Sequence, residues 1–160
     1  MVSCVFPGSF DPVTKGHLDL ISRASSMFDH VTVTVMVNIS KRGSIPVEKR
    51  IDMLRKICAA YPNVSVEQWD GLLADYMDAR REKIVIRGIR RGAEAEHEMQ
   101  SSAANRMLNS GIETVFLPCD PQMNGISSSA VREIAAFGGD ISPFVPGELT
   151  EEIKGLLSNK

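Results

Sequence analysis

VSCVFPGSFDPVTKGHLDLISRASSMFDHVTVTVMV, residues 2–37, carries a strand, a loop, a helix and a second strand in succession. Val2 to Phe6 is short, apolar and rich in β-formers, and it stops at Pro7-Gly8. Leu18, Ile21, Ser25 and Phe28 recur at helical spacing, which predicts a helix from about His17 to Phe28. Val31 to Val37 places Val on every odd position with Thr, Thr and Met between, as expected of a strand covered on both faces.

The same alternation continues downstream. Helices are predicted over Val47–Ala60, Leu72–Arg81, Ala93–Asn109, Ser127–Phe137 and about Glu148–Leu157. Strands are predicted over Val64–Val66, Lys83–Arg87 and Ile112–Leu117. Strictly alternating elements imply right-handed βαβ units. The expected fold is therefore α/β: a Rossmann-like doubly wound parallel five-stranded sheet with helices on both faces. Neither a repeat nor a linker divides residues 1–160, so one domain is expected. In such sheets a ligand sits beyond the carboxyl ends of the strands at the switch point, so the loops after Phe6, Val37, Arg87 and Leu117 are the places to search.

Composition narrows the function classes. The chain has 160 residues, 43% of them hydrophobic and 24% charged, and a net charge of -2. These values suit a soluble globular domain and give no basic excess for general nucleic-acid binding. Cys4, Cys58 and Cys119 are odd in number and far apart, which favours neither a disulfide framework nor a zinc knuckle. With no signal peptide and no membrane-length apolar run visible, a cytoplasmic protein is expected.

The first loop, Pro7 to His17, spells neither the G-x-G-x-x-G fingerprint nor a P-loop. Gly8 permits a sharp turn or a close backbone approach. Gly16-His17 sits at a helix start, where backbone N–H groups and the dipole favour an anion. That dipeptide alone reads equally well as an ordinary turn; the eleven residues together do not. Two basic loops, Ser40-Lys41-Arg42-Gly43 and Arg87-Gly88-Ile89-Arg90-Arg91-Gly92, follow predicted strands at the same rim. Arginine forks match phosphate oxygens in pairs, while lysine acts as a mobile point charge. Ser127-Ser128-Ser129 opens a helix; one serine suffices as a cap, and the excess hydroxyls suggest a second anion site. Glu94, His97 and Glu98 read as a polar helix surface rather than a metal site, and no metal ligand is assigned.

Gly8-Ser9-Phe10-Asp11-Pro12 with Thr14-Lys15-Gly16-His17 resembles the nucleotidyltransferase pattern G-[ST]-F-D-P, then [HT]-x-G-H. Leu18-Asp19-Leu20-Ile21, Ile86-Arg87-Gly88-Ile89-Arg90, Glu96-His97-Glu98-Met99-Gln100 and Ile126-Ser127-Ser128-Ser129-Ala130-Val131-Arg132 are similar to segments of the phosphopantetheine adenylyltransferase branch. That resemblance implies transfer of AMP from ATP to 4′-phosphopantetheine, giving dephospho-coenzyme A and pyrophosphate. It further implies catalytic roles for His17, Lys41 and Arg90. ATP contacts are implied for Ser9, Phe10, His17, Gly88, Ile89, Arg90, Glu98, Met123, Asn124, Gly125, Ile126, Ser127, Ser128 and Ser129. Acceptor contacts are implied for Ser9, Lys41, Leu73 and Arg87. It implies Mg²⁺ arriving with ATP, a homohexamer, and no nucleic-acid or membrane partner.

Two stretches depart from the family's pattern. Met123-Asn124-Gly125 stands where an aromatic-Ser-aromatic triplet is usual, and Arg91-Gly92-Ala93-Glu94-Ala95 replaces a typical A-V-x-D-F. The first bears on adenine packing, the second on the shape of the Arg91 loop. Nicotinate mononucleotide or glycerol phosphate remain alternative acceptors. A non-catalytic nucleotide-binding module is the rival of another class, against which His17, Lys41 and Arg90 weigh.

Overall fold

The structure is a computed structural model of one chain, and it describes residues 1–37, 40 and 43–158. Five strands form one parallel sheet: β1 (Ser3–Gly8), β2 (His30–Val37), β3 (Val64–Asp70), β4 (Ile84–Ile89) and β5 (Glu113–Pro118), in the order β3-β2-β1-β4-β5. Helices connect them: α1 (Lys15–Met27), α2 (Val47–Cys58), α3 (Leu73–Arg80) and α4 (Gly92–Leu108). Short 3₁₀ turns at Pro121–Met123 and Gly147–Leu149 precede α5 (Ser128–Ala136) and α6 (Thr150–Ser158). The expected doubly wound sheet is what the chain forms.

Alternation along the central strand builds two cores. Successive side chains of a strand face opposite sides of the sheet. Cys4 and Phe6 point into a large cluster with Leu20, Ile21 and Ala24 of α1, Met53 and Leu54 of α2, Val131 of α5 and Ile153 of α6. Val5 points the other way, to Ala74, Tyr76 and Met77 of α3, with Val85 and Ile112. So α1 and α2 cover one face, where β1, β2 and β3 are wound, and α3 covers the other. The winding reverses between β1 and β4, and the two strands share a single registered pair, Val5 with Val85. A crevice opens at their carboxyl ends, as the switch-point rule requires.

Some boundaries differ from expectation. β1 continues through Pro7 and Gly8, which register with Thr34 and Val35 of β2. Proline's fixed φ is compatible with a strand end, and its carbonyl finds a side-chain donor from β4. β3 extends to Asp70 although its second half is polar, because it is an edge strand that β2 pairs along its length. α1 begins at Lys15, two residues before the predicted start, with Thr14 as its N-cap.

Candidate active site

The loop after β1 is fixed from below and from both sides. Phe10 has φ of 47° and a side chain only 1% exposed. Its ring meets Phe6 edge-on at 5.5 Å and His17 at 4.9 Å between centroids. It is thus the floor under the histidine. Gly8 carries no Cβ, which would stand 3.0 Å from the Phe10 ring. Asp11 is buried, and its carboxylate accepts from the N–H groups of Ser44 and Ile45, both at 2.7 Å. The buried Arg50 donates from Nε to the Ile45 carbonyl at 2.9 Å and from Nη1 to the Ser9 carbonyl at 2.8 Å. Asp11 and Arg50 therefore clasp the loop after β2 to the loop after β1.

His17 is the third residue of α1, within the first turn rather than before it. The N–H of Thr14 donates to His17 Nδ1 at 3.1 Å, while Thr14 Oγ1 accepts from the His17 N–H at 3.3 Å. This is the reciprocal logic of a capping box with an imidazole in place of Glu. A backbone N–H can only donate, so Nδ1 is the acceptor and the neutral ring carries its proton on Nε2. Burial, then the charges of Arg90 and Arg87, lower the His17 pKa from 6.5 to about 4. At neutral pH His17 is an uncharged donor held rigidly in the crevice.

β4 delivers the cations. Arg87 is pinned by a bidentate pair with Glu98 of α4, both bonds 2.7 Å, and by Nη1 donating to the Pro7 carbonyl at 2.9 Å. Arg90 pairs with Glu94, its Nη2 lying 2.7 Å from Oε1, and its Nη1 donates to the Ile126 carbonyl. Between them Gly88 lies where a Cβ would stand 2.4 Å from Leu20 Cδ1 and 3.1 Å from Cys119 Sγ. Glycine here lets the strand end press against α1.

Each serine of the third segment has its own task. Ser127 Oγ caps α5 by accepting from the Ala130 N–H at 3.1 Å. Ser128 Oγ donates to the Pro12 carbonyl at 2.7 Å, tying α5 to the first loop. Ser129 Oγ accepts from Arg132 Nη2 at 3.2 Å, and Arg132 Nη1 also donates to the Asp11 carbonyl at 2.6 Å. Ser127 and Ser129 only accept in these bonds, so their O–H groups remain donors beside the first-turn N–H groups of this helix start.

Two cavities meet at the switch point. The larger, about 650 Å³, is lined by His17, Gly88, Arg90, Glu94, Ile126 and Ser127–Ser129, among others. The smaller, about 340 Å³, is lined by Met36, Leu73, Val85, Ser101, Asn105 and Thr114, among others. Pro7, Gly8, Ser9, Arg87 and Glu98 line both. Volumes in this range suit small-molecule ligands.

The structure thus gathers Ser9, His17, Arg87, Gly88, Arg90, Glu98, Ile126 and the three serines around one crevice, with Leu73 in the adjoining cavity. Phe10 and Ile89 belong to the frame rather than the cavity lining. Met123, Asn124 and Gly125 do not line either cavity; they form and follow the 3₁₀ turn capped by Asp120. Lys41 lies outside the described residues. Sequence reasoning passed over Asp11, Thr14, Arg50 and Arg132. Thr14 and His17 at capping-box spacing were a readable signal; Arg50, one charge in a charged helix, was not. Among the described residues, no three His, Cys, Asp or Glu side chains gather as a metal cage. Among them, too, no helix is long and apolar enough to cross a membrane.

Comparison with known proteins agrees with this geometry. Residues 5–134 match the cytidylyltransferase-like family model. A phosphopantetheine adenylyltransferase of Clostridium perfringens is 44% identical over 97% of this chain and 94% of its own length. One from Streptomyces coelicolor is 43% identical over the whole of both chains. A solved structure from Vibrio parahaemolyticus, a candidate nicotinate-nucleotide adenylyltransferase, superposes with a TM-score of 0.68 at 18% identity, covering 100% of this chain and 98% of that one, and so shares the fold. With identity of this order running from end to end, the chain belongs to the phosphopantetheine adenylyltransferases within the cytidylyltransferase-like family.

Proposed function

We propose that this protein transfers the adenylyl group of ATP to 4′-phosphopantetheine, releasing pyrophosphate and dephospho-coenzyme A. The observation that carries the reading is the pair of cavities sharing one wall at Pro7-Gly8-Ser9, Arg87 and Glu98. ATP fits the larger, with His17, Arg90 and the start of α5 around its phosphates. The acceptor fits the smaller, its arm along Leu73 and its phosphate at Arg87 and Ser9. The two phosphates then meet at the shared wall.

There an oxygen of the acceptor phosphate forms a bond to the α-phosphorus as the bond to the β-phosphate oxygen breaks. The nucleophile is already an anion, so no general base is required. The chain's residues align two polyanions and neutralise the charge that builds on the α-phosphoryl oxygens. His17 donates through Nε2–H without adding a charge, Arg90 supplies the charge, and Lys41 is assigned a matching role. Glu94 and Glu98 are both engaged by arginines, so the donor set suits a metal that enters already bound to nucleotide phosphates. Mg²⁺ so carried would neutralise phosphate charge. Met123, Asn124 and Gly125 are assigned to the adenine end.

We assign the reaction to the cytoplasm, which cell fractionation tests, and infer a homohexamer. α4 has no buried residue, and Met99, Met107 and Leu108 stand exposed along it. A second copy on that face would cover them. Sedimentation should give six times the 17.5 kDa chain mass; a monomer would refute the assembly.

The deciding experiment is pyrophosphate release from Mg-ATP with 4′-phosphopantetheine, nicotinate mononucleotide or glycerol 3-phosphate as acceptor. Release with phosphopantetheine alone is expected. Release only with another acceptor would retain the chemistry and reject the substrate. No release with any would leave a nucleotide-binding module.

A further inference from the structure

α4 carries Glu94 and Glu98 one turn apart, and each pairs with one arginine in or just after the end of β4. Glu98 takes the Nε and Nη2 edge of Arg87, and the Pro7 carbonyl takes its Nη1. Glu94 Oε2 accepts from Arg90 Nε at 3.2 Å, its Oε1 lies 2.7 Å from Nη2 in the ion pair, and the Ile126 carbonyl takes Nη1. Glu94 Oε2 also accepts from the Arg90 backbone N–H at 3.3 Å. A guanidinium has five N–H donors. The hydrogen bonds of Arg90 use its Nε–H and one N–H of Nη1, leaving N–H groups on both terminal nitrogens. Arg90 and Glu94 both line the larger cavity, as do Ile126 and His17.

From this geometry we infer that Glu94 is a positioning residue: it clamps the Arg90 fork so that its free terminal N–H groups stay presented to the nucleotide phosphates. The inference rests on the proposed adenylyl transfer. Arginine has several rotatable bonds, and an unclamped fork on a partly open rim would sample many orientations. Fixing it beforehand means little of that freedom is lost on binding. The pair is about a third exposed, with side-chain exposures of 29% and 37%. A pair of that exposure adds little to folding stability, so a merely structural role predicts almost no effect on catalysis or binding.

The test is a double-substitution cycle of Glu94→Ala and Arg90→Ala, read by pyrophosphate release with phosphopantetheine and, separately, by Mg-ATP affinity in calorimetry. Glu94→Ala should lower kcat/KM and ATP affinity about tenfold each, with the melting temperature shifted by less than about 4 °C. In the Arg90→Ala background it should add nothing, because its route of action is gone. Glu94→Asp, which keeps the carboxylate, should recover most of the loss. Full additivity of the two substitutions, or an unaffected Glu94→Ala protein, would overturn the inference. A wild type that binds ATP without turning over phosphopantetheine would instead reject the substrate reading, and the calorimetric cycle would still decide the role of Glu94.

Discussion

Replacing His17 by Gln tests whether the crevice holds a neutral imidazole. In the folded chain burial, Arg90 and Arg87 lower the His17 pKa to about 4, against 6.5 for a free side chain. Above pH 6.5 both states are neutral and His17 contributes nothing to pH dependence. Below it the unfolded chain takes up a proton that the folded one refuses, so stability falls with pH until about pH 4, where the folded ring also protonates. At pH 5 the difference is about 1.5 pH units, or about 2 kcal/mol at 1.36 kcal/mol per unit. Gln cannot titrate. Urea unfolding at pH 7 and pH 5 should therefore show wild type losing about 2 kcal/mol more than His17→Gln over that interval. The same neutrality means that the kcat/KM profile of the wild type carries no ionisation near pH 6.5 from this residue. Equal losses in the two proteins, together with a rate that falls as a group of pKa near 6.5 protonates, would refute the neutral-donor assignment. In activity at pH 8, loss of one preorganised donor to the reacting phosphoryl group should cost about 10²-fold or more in kcat.

Other substitutions probe the frame around that donor. Gly88→Ala pushes a methyl into Leu20 and Cys119 and should cost about 1–3 kcal/mol in urea unfolding; unchanged stability would show that the contact relaxes freely. Arg50→Met leaves the Ile45 and Ser9 carbonyls without their charged donor and should destabilise by about 3 kcal/mol in the same assay.

The alternation of elements was sufficient for the parallel doubly wound class, because short right-handed connections leave few topologies, while the order β3-β2-β1-β4-β5 is one of several that alternation allows. The site was legible where its chemistry is local. Gly8-Ser9-Phe10, Gly16-His17, Arg87-Gly88-Ile89-Arg90 and the three serines each sit at a strand or helix end. Spelling alone could not say which of them point inward. Phe10 is buried beneath His17, while Ser127 both caps α5 and lines the larger cavity. Asp11, Arg50 and Arg132 were missed for the opposite reason. Each reaches a carbonyl or N–H more than thirty residues away in the chain, and no spacing rule anticipates a partner at that separation.

The missed residues and the legible ones do one job between them. A site for two polyanions must hold positive charge in place rather than let each cation drift into solvent. Among the described residues, three arginines lining the larger cavity are tethered at defined atoms: Arg87 to Pro7 and Glu98, Arg90 to Ile126 and Glu94, Arg132 to Asp11 and Ser129. Each also reaches a backbone carbonyl beside the crevice: Pro7 at the end of β1, Ile126 before α5, and Asp11 in the loop after β1. The central donor is held differently, because His17 is fixed within its own helix by Thr14 and by the Phe10 ring. The arrangement separates a rigid neutral hydrogen bond at the centre from charges whose tethers a phosphate can share, and that division is what in-line transfer between two anions demands.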